Sequence, residues 1–293
     1  MRVLITGSNG QLGSEIKELA TNYKKLDFVF KDLPELDICD FEVLQAFIID
    51  HKINAVINCA AYTAVDKAEE DAEIAEHVNS IGVSNLVNAL QTVNGKLIHI
   101  STDYVFDGNH FLPYKETDPV SPIGVYGETK REGELVVLNS DIEAIVIRTS
   151  WLYSAYGNNF VKTMLRLGNE KEKLNVIFDQ VGTPTYAADL AEACLEILSK
   201  NDAKINSKGN VYHFSNEGVA SWYDFAIAIM KMGNIDCKVM PIETKDYPTP
   251  ATRPHYSLLN KIKIKTDFNL TIPYWKDSLK HCIQNLQEQI NER

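Results

Sequence analysis

The sequence predicts an α/β chain: a Rossmann-type, doubly wound parallel sheet with a smaller C-terminal α/β substrate domain. Three observations carry that expectation. Short apolar runs alternate with helical patterns four times before residue 100. Gly7, Gly10 and Gly13 stand between the first run and the first helix. Asp32 stands just past the second run, about where an acid meets the adenosine ribose of a dinucleotide. Such a sheet binds its ligands at the carboxyl ends of its strands.

Residues 3–6 are the first strand, and the helix after them carries Leu12, Ile16, Leu19 and Ala20 on one face. The glycines let the backbone approach a pyrophosphate, and the free N–H groups at the helix start favour its charge. Residues 26–30 form the second strand. A carboxylate at Asp32 binds ribose hydroxyls and repels a 2′-phosphate, so of NADH and NADPH it favours NADH; neighbouring Lys31 softens that choice. Asp40 caps a helix with Phe41, Leu44, Phe47 and Ile48 on one face. Residues 55–58 are the third strand, and Cys59-Ala60-Ala61 after it are small enough for a cofactor to lie on the backbone.

Residues 73–93 read as one long helix and residues 96–100 as the fourth strand, which delivers Ser101-Thr102-Asp103-Tyr104 to the binding edge. A loop with Pro113, Pro119 and Pro122 leads to a helix from about Gly124, and residues 144–148 are the fifth strand. The dinucleotide domain is expected over 1–150 and the substrate domain over 151–293. The latter reads as helix 160–167, strand 174–178, helix 188–198, strand 211–214, helix 222–232, an irregular stretch 241–254 and a closing helix from Trp275. A strand and helix of this half are candidates for returning to the first sheet.

Composition narrows the partners. The net charge is −11 and there is no basic block, which argues against nucleic acid. Five cysteines without a Cys-x-x-Cys suit a reducing cytoplasm better than a disulfide framework or a zinc site. The start of the chain has no charged leader with an apolar core, and no run approaches the length of a membrane span, so neither secretion nor a membrane is expected. The seven histidines are dispersed, and no metal site is expected.

Tyr126 and Lys130 lie one turn apart on one helix face. An ammonium beside a phenol is expected to draw its pKa below the usual value of about 10, toward the range of a proton donor or acceptor. In a chain with 13 tyrosines the spacing alone decides little; the position after the fourth strand decides. Thr102 adds a hydroxyl able to hold a carbonyl or alcohol oxygen.

Ser-Thr-Asp-Tyr-Val-Phe (101–106), Val-Tyr-Gly-Glu-Thr-Lys (125–130), Arg-Thr-Ser-Trp-Leu-Tyr (148–153) and Gly-Asn-Asn-Phe (157–160) follow in order. So do Asp-Gln-Val-Gly-Thr-Pro-Thr (179–185), Tyr-Pro-Thr-Pro-Ala (247–251) and Arg-Pro (253–254). With these motifs the chain resembles the extended short-chain dehydrogenase/reductases that act on nucleotide sugars, and most closely the dTDP-4-dehydrorhamnose reductase family. The resemblance implies that Gly10, Gln11 and Leu12 bind the cofactor diphosphate, Asp32 the ribose, Asp37 and Ile38 the adenine, and Ala61, Tyr62 and Thr63 the inner part. Many relatives have His where this chain has Tyr62. It implies Thr102, Tyr126 and Lys130 as the catalytic set and Thr102, Asp103 and Trp151 as contacts to the dTDP-sugar substrate. Arg253 is our own candidate for the substrate diphosphate, because a guanidinium forks onto phosphate.

The implied reaction is NADH- or NADPH-dependent reduction of dTDP-4-dehydro-β-L-rhamnose at C4, the last step of dTDP-β-L-rhamnose synthesis. Tyr126 would protonate the carbonyl oxygen, Thr102 hold it, and Lys130 tune Tyr126 and bond the nicotinamide ribose. A dehydratase resembling this group would follow the threonine with Asp-Glu, whereas Asp103-Tyr104 stands here. An epimerase and a non-catalytic regulatory subunit are the alternatives, and monomer and homodimer both stay open.

Overall fold

The apolar runs at 3–6, 55–58, 97–99 and 144–148 are buried on both faces, as a parallel sheet between two helical layers requires. In the computed structural model, which describes residues 1–200 and 210–291, Val3, Leu4 and Ile5 of β1 (Arg2–Thr6) are buried, and so is all of β3 (Ala55–Asn58). With β2 (Asp27–Phe30), β4 (Lys96–Thr102), β5 (Glu143–Thr149) and the strand Asn210–His213 they make a six-stranded parallel sheet. The order is Asn210–His213, β5, β4, β3, β1, β2. The chain leaves β1 to one side for β2 and returns on the other for β3, so the order reverses there, and the crevice at such a reversal is where open α/β sheets bind ligands.

Alternation sorts the side chains. Val3, Ile5, Ile57 and Ile147 face α1 (Gln11–Leu19) and the helix Ala187–Ser199. Leu4, Val56, Leu97 and Val146 face α2 (Phe41–Asp50) and the helices Gly82–Gln91 and Val125–Leu138. Each such side chain contributes about 1.5–3 kcal/mol by leaving water. Asp40 caps α2 through the Val43 amide at 3.1 Å, as its position suggests.

The long helix expected over 73–93 is interrupted. Ala72–Glu76 passes through a wider π turn, His77–Ile81, before the α-helix resumes at Gly82. The turn carries Asn79, which is buried.

A second core gathers Tyr153, Val161, Met164, Phe225, Trp275 and Leu279. Beside it the strand Lys173–Ile177 pairs in parallel with Lys238–Ile242, which the sequence reading left irregular from Pro241 onward. Proline is tolerated there because the pair is only two strands wide and its outer edge needs no donor. A short helix, Ile262–Phe268, was equally unmarked in the sequence. The five cysteines are free. Among the described residues no helix is long and apolar enough to cross a membrane, and no group of three His, Cys, Asp or Glu could hold a metal ion.

Candidate functional site

The glycine turn follows β1 at the order reversal. Gly7 has a φ of +60°, and a Cβ on it would stand 2.7 Å from the Ala60 nitrogen. A Cβ on Gly13 would stand 2.5 Å from the Gly7 carbonyl oxygen and from the Ser8 Cα. The Gly10 N–H donates to the Gly7 carbonyl at 3.0 Å and closes the turn. No side chain caps α1 at Gly10, so its first amides are left for an anion. Asp32 stands beside them, its Oδ2 accepting from the Asn9 N–H at 2.8 Å and its Oδ1 from the Leu33 N–H at 2.8 Å. This cradle, closed to any side chain and bare at its helix start, fits a dinucleotide.

The cradle opens into a cavity of about 900 Å³. Gly7, Gly10, Gln11, Leu12, Asp32, Asp37 and Ile38 line one end, and Ala61, Tyr62, Thr63, Thr102, Asp103, Tyr126, Lys130 and Trp151 line the rest. Gly13 packs behind the turn instead of lining the cavity. Tyr62 takes part through its main chain, which both ends of the Asn79 amide hold at 2.9 and 3.1 Å. Its hydroxyl is turned away onto Asp71 at 2.8 Å.

At the far end stand the groups able to move a proton. Tyr126 lies in the first turn of Val125–Leu138, and the ring of Tyr104 meets it edge-on, centroids 5.4 Å apart. Thr102 ends β4; its hydroxyl donates to Asp103 Oδ1 at 3.1 Å and accepts from the Tyr104 N–H at 3.2 Å. Lys130, one turn beyond Tyr126, is buried and donates to the Ile100 carbonyl at 2.7 Å.

The expected direction of the Tyr126 pKa is reversed. Burial pushes the phenol up to about 12, against the Thr102 hydroxyl, with the Asp103 carboxylate adding to the rise. The ammonium meant to offset this is committed to the Ile100 carbonyl, and burial pushes it down to about 8 in spite of the Glu134 carboxylate a turn away. Tyr126 is therefore a loaded proton donor at neutral pH, the form that carbonyl reduction needs. Burial also pushes Asp103 up to about 7, against hydrogen bonds from Ser257 and Thr102.

Several supporting residues carry little signal in the sequence. Glu134, fully buried under the site, accepts from Ser101 at 2.6 Å, from Arg131 at 2.8 Å and from Arg148 at 2.7 and 2.8 Å. Asn79 bonds Thr129 at 3.2 Å and so ties the Tyr62 main chain to the Tyr126 helix. The one signal was position: Glu134 is four residues past Lys130 on the same face.

Arg253 is not brought to this cavity. It forks onto Asp66 at 3.0 and 2.7 Å and lines a second cavity of about 760 Å³. Trp151, with a φ of +48°, lies against Trp222, centroids 3.7 Å apart and planes 10° apart. Trp151 faces the first cavity and Trp222 the second, so the paired indoles form the wall between them.

Residues 1–288 match the family described as RmlD substrate binding domain. The dTDP-4-dehydrorhamnose reductase of Aggregatibacter actinomycetemcomitans is 42% identical, with 96% of this chain and 97% of the relative covered. A crystal structure of a dTDP-4-dehydrorhamnose reductase from Clostridium acetobutylicum is 43% identical at a TM-score of 0.91, covering 98% of this chain and 100% of the other. That of Bacillus anthracis, in complex with NADP, is 39% identical at a TM-score of 0.91, covering 97% and 99%. Fold, cradle and end-to-end similarity agree, and the chain belongs to the RmlD substrate binding domain family, with dTDP-4-dehydrorhamnose reductases among its relatives.

Proposed function

We propose that this protein reduces dTDP-4-dehydro-β-L-rhamnose to dTDP-β-L-rhamnose with a reduced nicotinamide dinucleotide, in the cytoplasm. One observation carries the reading: the glycine cradle and Thr102, Tyr126 and Lys130 line a single cavity. Residues 1–150 hold the dinucleotide and residues 151–293 cover the sugar. Gly10, Gln11 and Leu12 hold the diphosphate, Asp32 the adenosine ribose, Asp37 and Ile38 the adenine, and Ala61, Tyr62 and Thr63 the inner segment.

When bound, the nicotinamide supplies the hydride for C4. Tyr126, protonated through burial, gives its proton to the C4 oxygen while the Thr102 hydroxyl holds that oxygen in place. Lys130 stays under the phenol and offers its remaining N–H bonds to the cofactor ribose. Trp151 and Asp103 position the sugar. Arg253 keeps free donors beyond those that Asp66 and the Ala251 carbonyl use, enough to bind the substrate diphosphate.

NADH is the preferred cofactor. Asp32 and Asp37 line the adenosine end, and the ammonium lining the cavity, Lys130, is at the other. Supplying dTDP-4-dehydrorhamnose with each cofactor, following loss of NAD(P)H absorbance and identifying the sugar by NMR tests the reading. Stoichiometric oxidation with a C4 alcohol as product supports it; a C4 ketone recovered intact refutes it.

A further inference from the structure

Glu134 takes no part in the proposed proton transfer, yet its carboxylate is fully buried beneath the catalytic edge. Lys130 and Glu134 stand one turn apart on the helix Val125–Leu138, so both reach the same strand. Lys130 donates to the Ile100 carbonyl at 2.7 Å, and Glu134 accepts from the Ser101 hydroxyl at 2.6 Å. Two side chains of one helix face thus grip two successive residues of β4, and the residue after them is Thr102. Arg148 stands opposite Ser101 in the register of β4 on β5 and forks onto Glu134 at 2.7 and 2.8 Å. The junction therefore joins the helix that carries Tyr126 to both strands beside it. Charge follows the same geometry. Facing Lys130 are Glu134 from its own helix, Cys59 from the end of β3 and His99 from β4. Burial, with the Lys130 ammonium, keeps His99 neutral, and burial keeps the Cys59 thiol protonated. Against its own burial, hydrogen bonds from Arg148, Ser101 and Arg131 hold the Glu134 carboxyl below the usual range, so of the three it is the anion.

We infer that Glu134 is a positioning residue for proton transfer: it locks the Tyr126 helix to the end of β4 and supplies the buried counter-charge of Lys130. That role rests on the reductase reading for what Tyr126 and Lys130 do, and on the junction itself for the charge. When Tyr126 gives up its proton a phenolate forms, and the ammonium beneath it offsets the new charge. A neutral lysine would not, so turnover falls as pH rises through the value at which Lys130 loses its proton, about 8. Without the Glu134 carboxylate the ammonium is less favoured and that value drops. Without the Arg131 guanidinium, which takes a share of the carboxylate at 2.8 Å, it rises.

The test uses two readouts on the full chain. NMR of protein labelled at the lysine Cε follows the Lys130 titration without turnover, its signal identified by its loss in Lys130→Arg. The pH dependence of kcat with dTDP-4-dehydrorhamnose and NADH follows its use. In the parent both midpoints are expected near 8. Glu134→Gln keeps the length of the side chain and removes its charge; it is expected to lower both midpoints by about one unit while turnover at pH 6 holds near the parental rate. Glu134→Asp keeps the charge and shortens the reach, so kcat is expected to fall about tenfold at every pH with the midpoints in place. Arg131→Gln, at a partly exposed site, is expected to raise both midpoints by about half a unit, and it decides the matter if Glu134→Gln does not fold. A Lys130 signal that titrates alike in the parent and these charge variants overturns the counter-charge, as does a loss of kcat in Glu134→Gln that is even across pH. Parental kcat in Glu134→Asp overturns the lock. If the parent never oxidises NADH with this substrate yet the Lys130 signal moves as stated, the reductase reading fails and the counter-charge stands.

Discussion

Two cavities of similar size stand on either side of one aromatic wall, and their charges are opposite. The first is lined by Asp32, Asp37 and Asp103 against Lys130; the second by Arg253, Lys171 and Lys173 against Asp66. Under the proposed function both would take a diphosphate, by two different means. The first uses backbone amides at a helix start, which carry no net charge and leave carboxylates free for ribose hydroxyls. The second uses side-chain cations, which act over a longer range and lose strength in salt. Backbone recognition demands that atoms come close and therefore demands glycine. Side-chain recognition leaves the backbone unconstrained.

The sharpest way to break this contrast is at the chemical end of the acidic cavity. Tyr126→Phe is expected to lower turnover by about 10²–10⁴ while NADH binding, measured by fluorescence titration, persists. An unchanged kcat would remove Tyr126 from the mechanism.

The next effect is on stability. The pKa of Asp103 is about 7 in the folded chain and about 3.9 in an unfolded one, so the folded state holds a proton that the unfolded state has released. Folding stability is full below the unfolded value and falls as pH rises through about 7, by a loss on the order of 4 kcal/mol. Asp103→Asn escapes that loss. Its Tm relative to the parent is expected to climb between pH 4 and pH 8, and a flat difference would show that the carboxyl is ionised at little cost.

Smaller effects test each anion strategy. Asp32→Ala is expected to weaken NADH about tenfold and NADPH less, as loss of a charge-assisted hydrogen bond suggests. Equal losses would mean that this acid does not read the ribose. Lys173→Glu is expected to raise the substrate KM about twofold to threefold at low salt and to have little effect at high salt, as for an exposed charge acting through solvent. A salt-independent change would point to a direct contact instead.

The first cavity was far more legible in the sequence than the second, and the difference follows from how each is built. Gly7, Gly10 and Asp32 come from neighbouring turns, and Thr102, Tyr126 and Lys130 from a strand end and the next long helix, so local pattern places them. The second cavity joins Asp66 to Arg253, and Gln180 to Trp222, across long separations that no periodicity reports. The chemistry of Arg253 is legible in the sequence, but its partner Asp66, 187 residues away, is not. The strand Lys238–Ile242 was hidden by Pro241, and the π turn at His77–Ile81 by an otherwise unbroken helical pattern. The direction of the Tyr126 pKa also eluded the sequence, because spacing records that a lysine is near but not that its ammonium is held by the Ile100 carbonyl.

The close, nearly parallel approach of Trp151 and Trp222 has an optical consequence. Two indoles so placed share their electronic excitations, and the coupling depends steeply on separation and tilt. A ligand that nudges either ring alters the near- and far-ultraviolet circular dichroism of the whole protein. Arrivals on the two sides of the wall are thus recorded in one spectrum, with no label added.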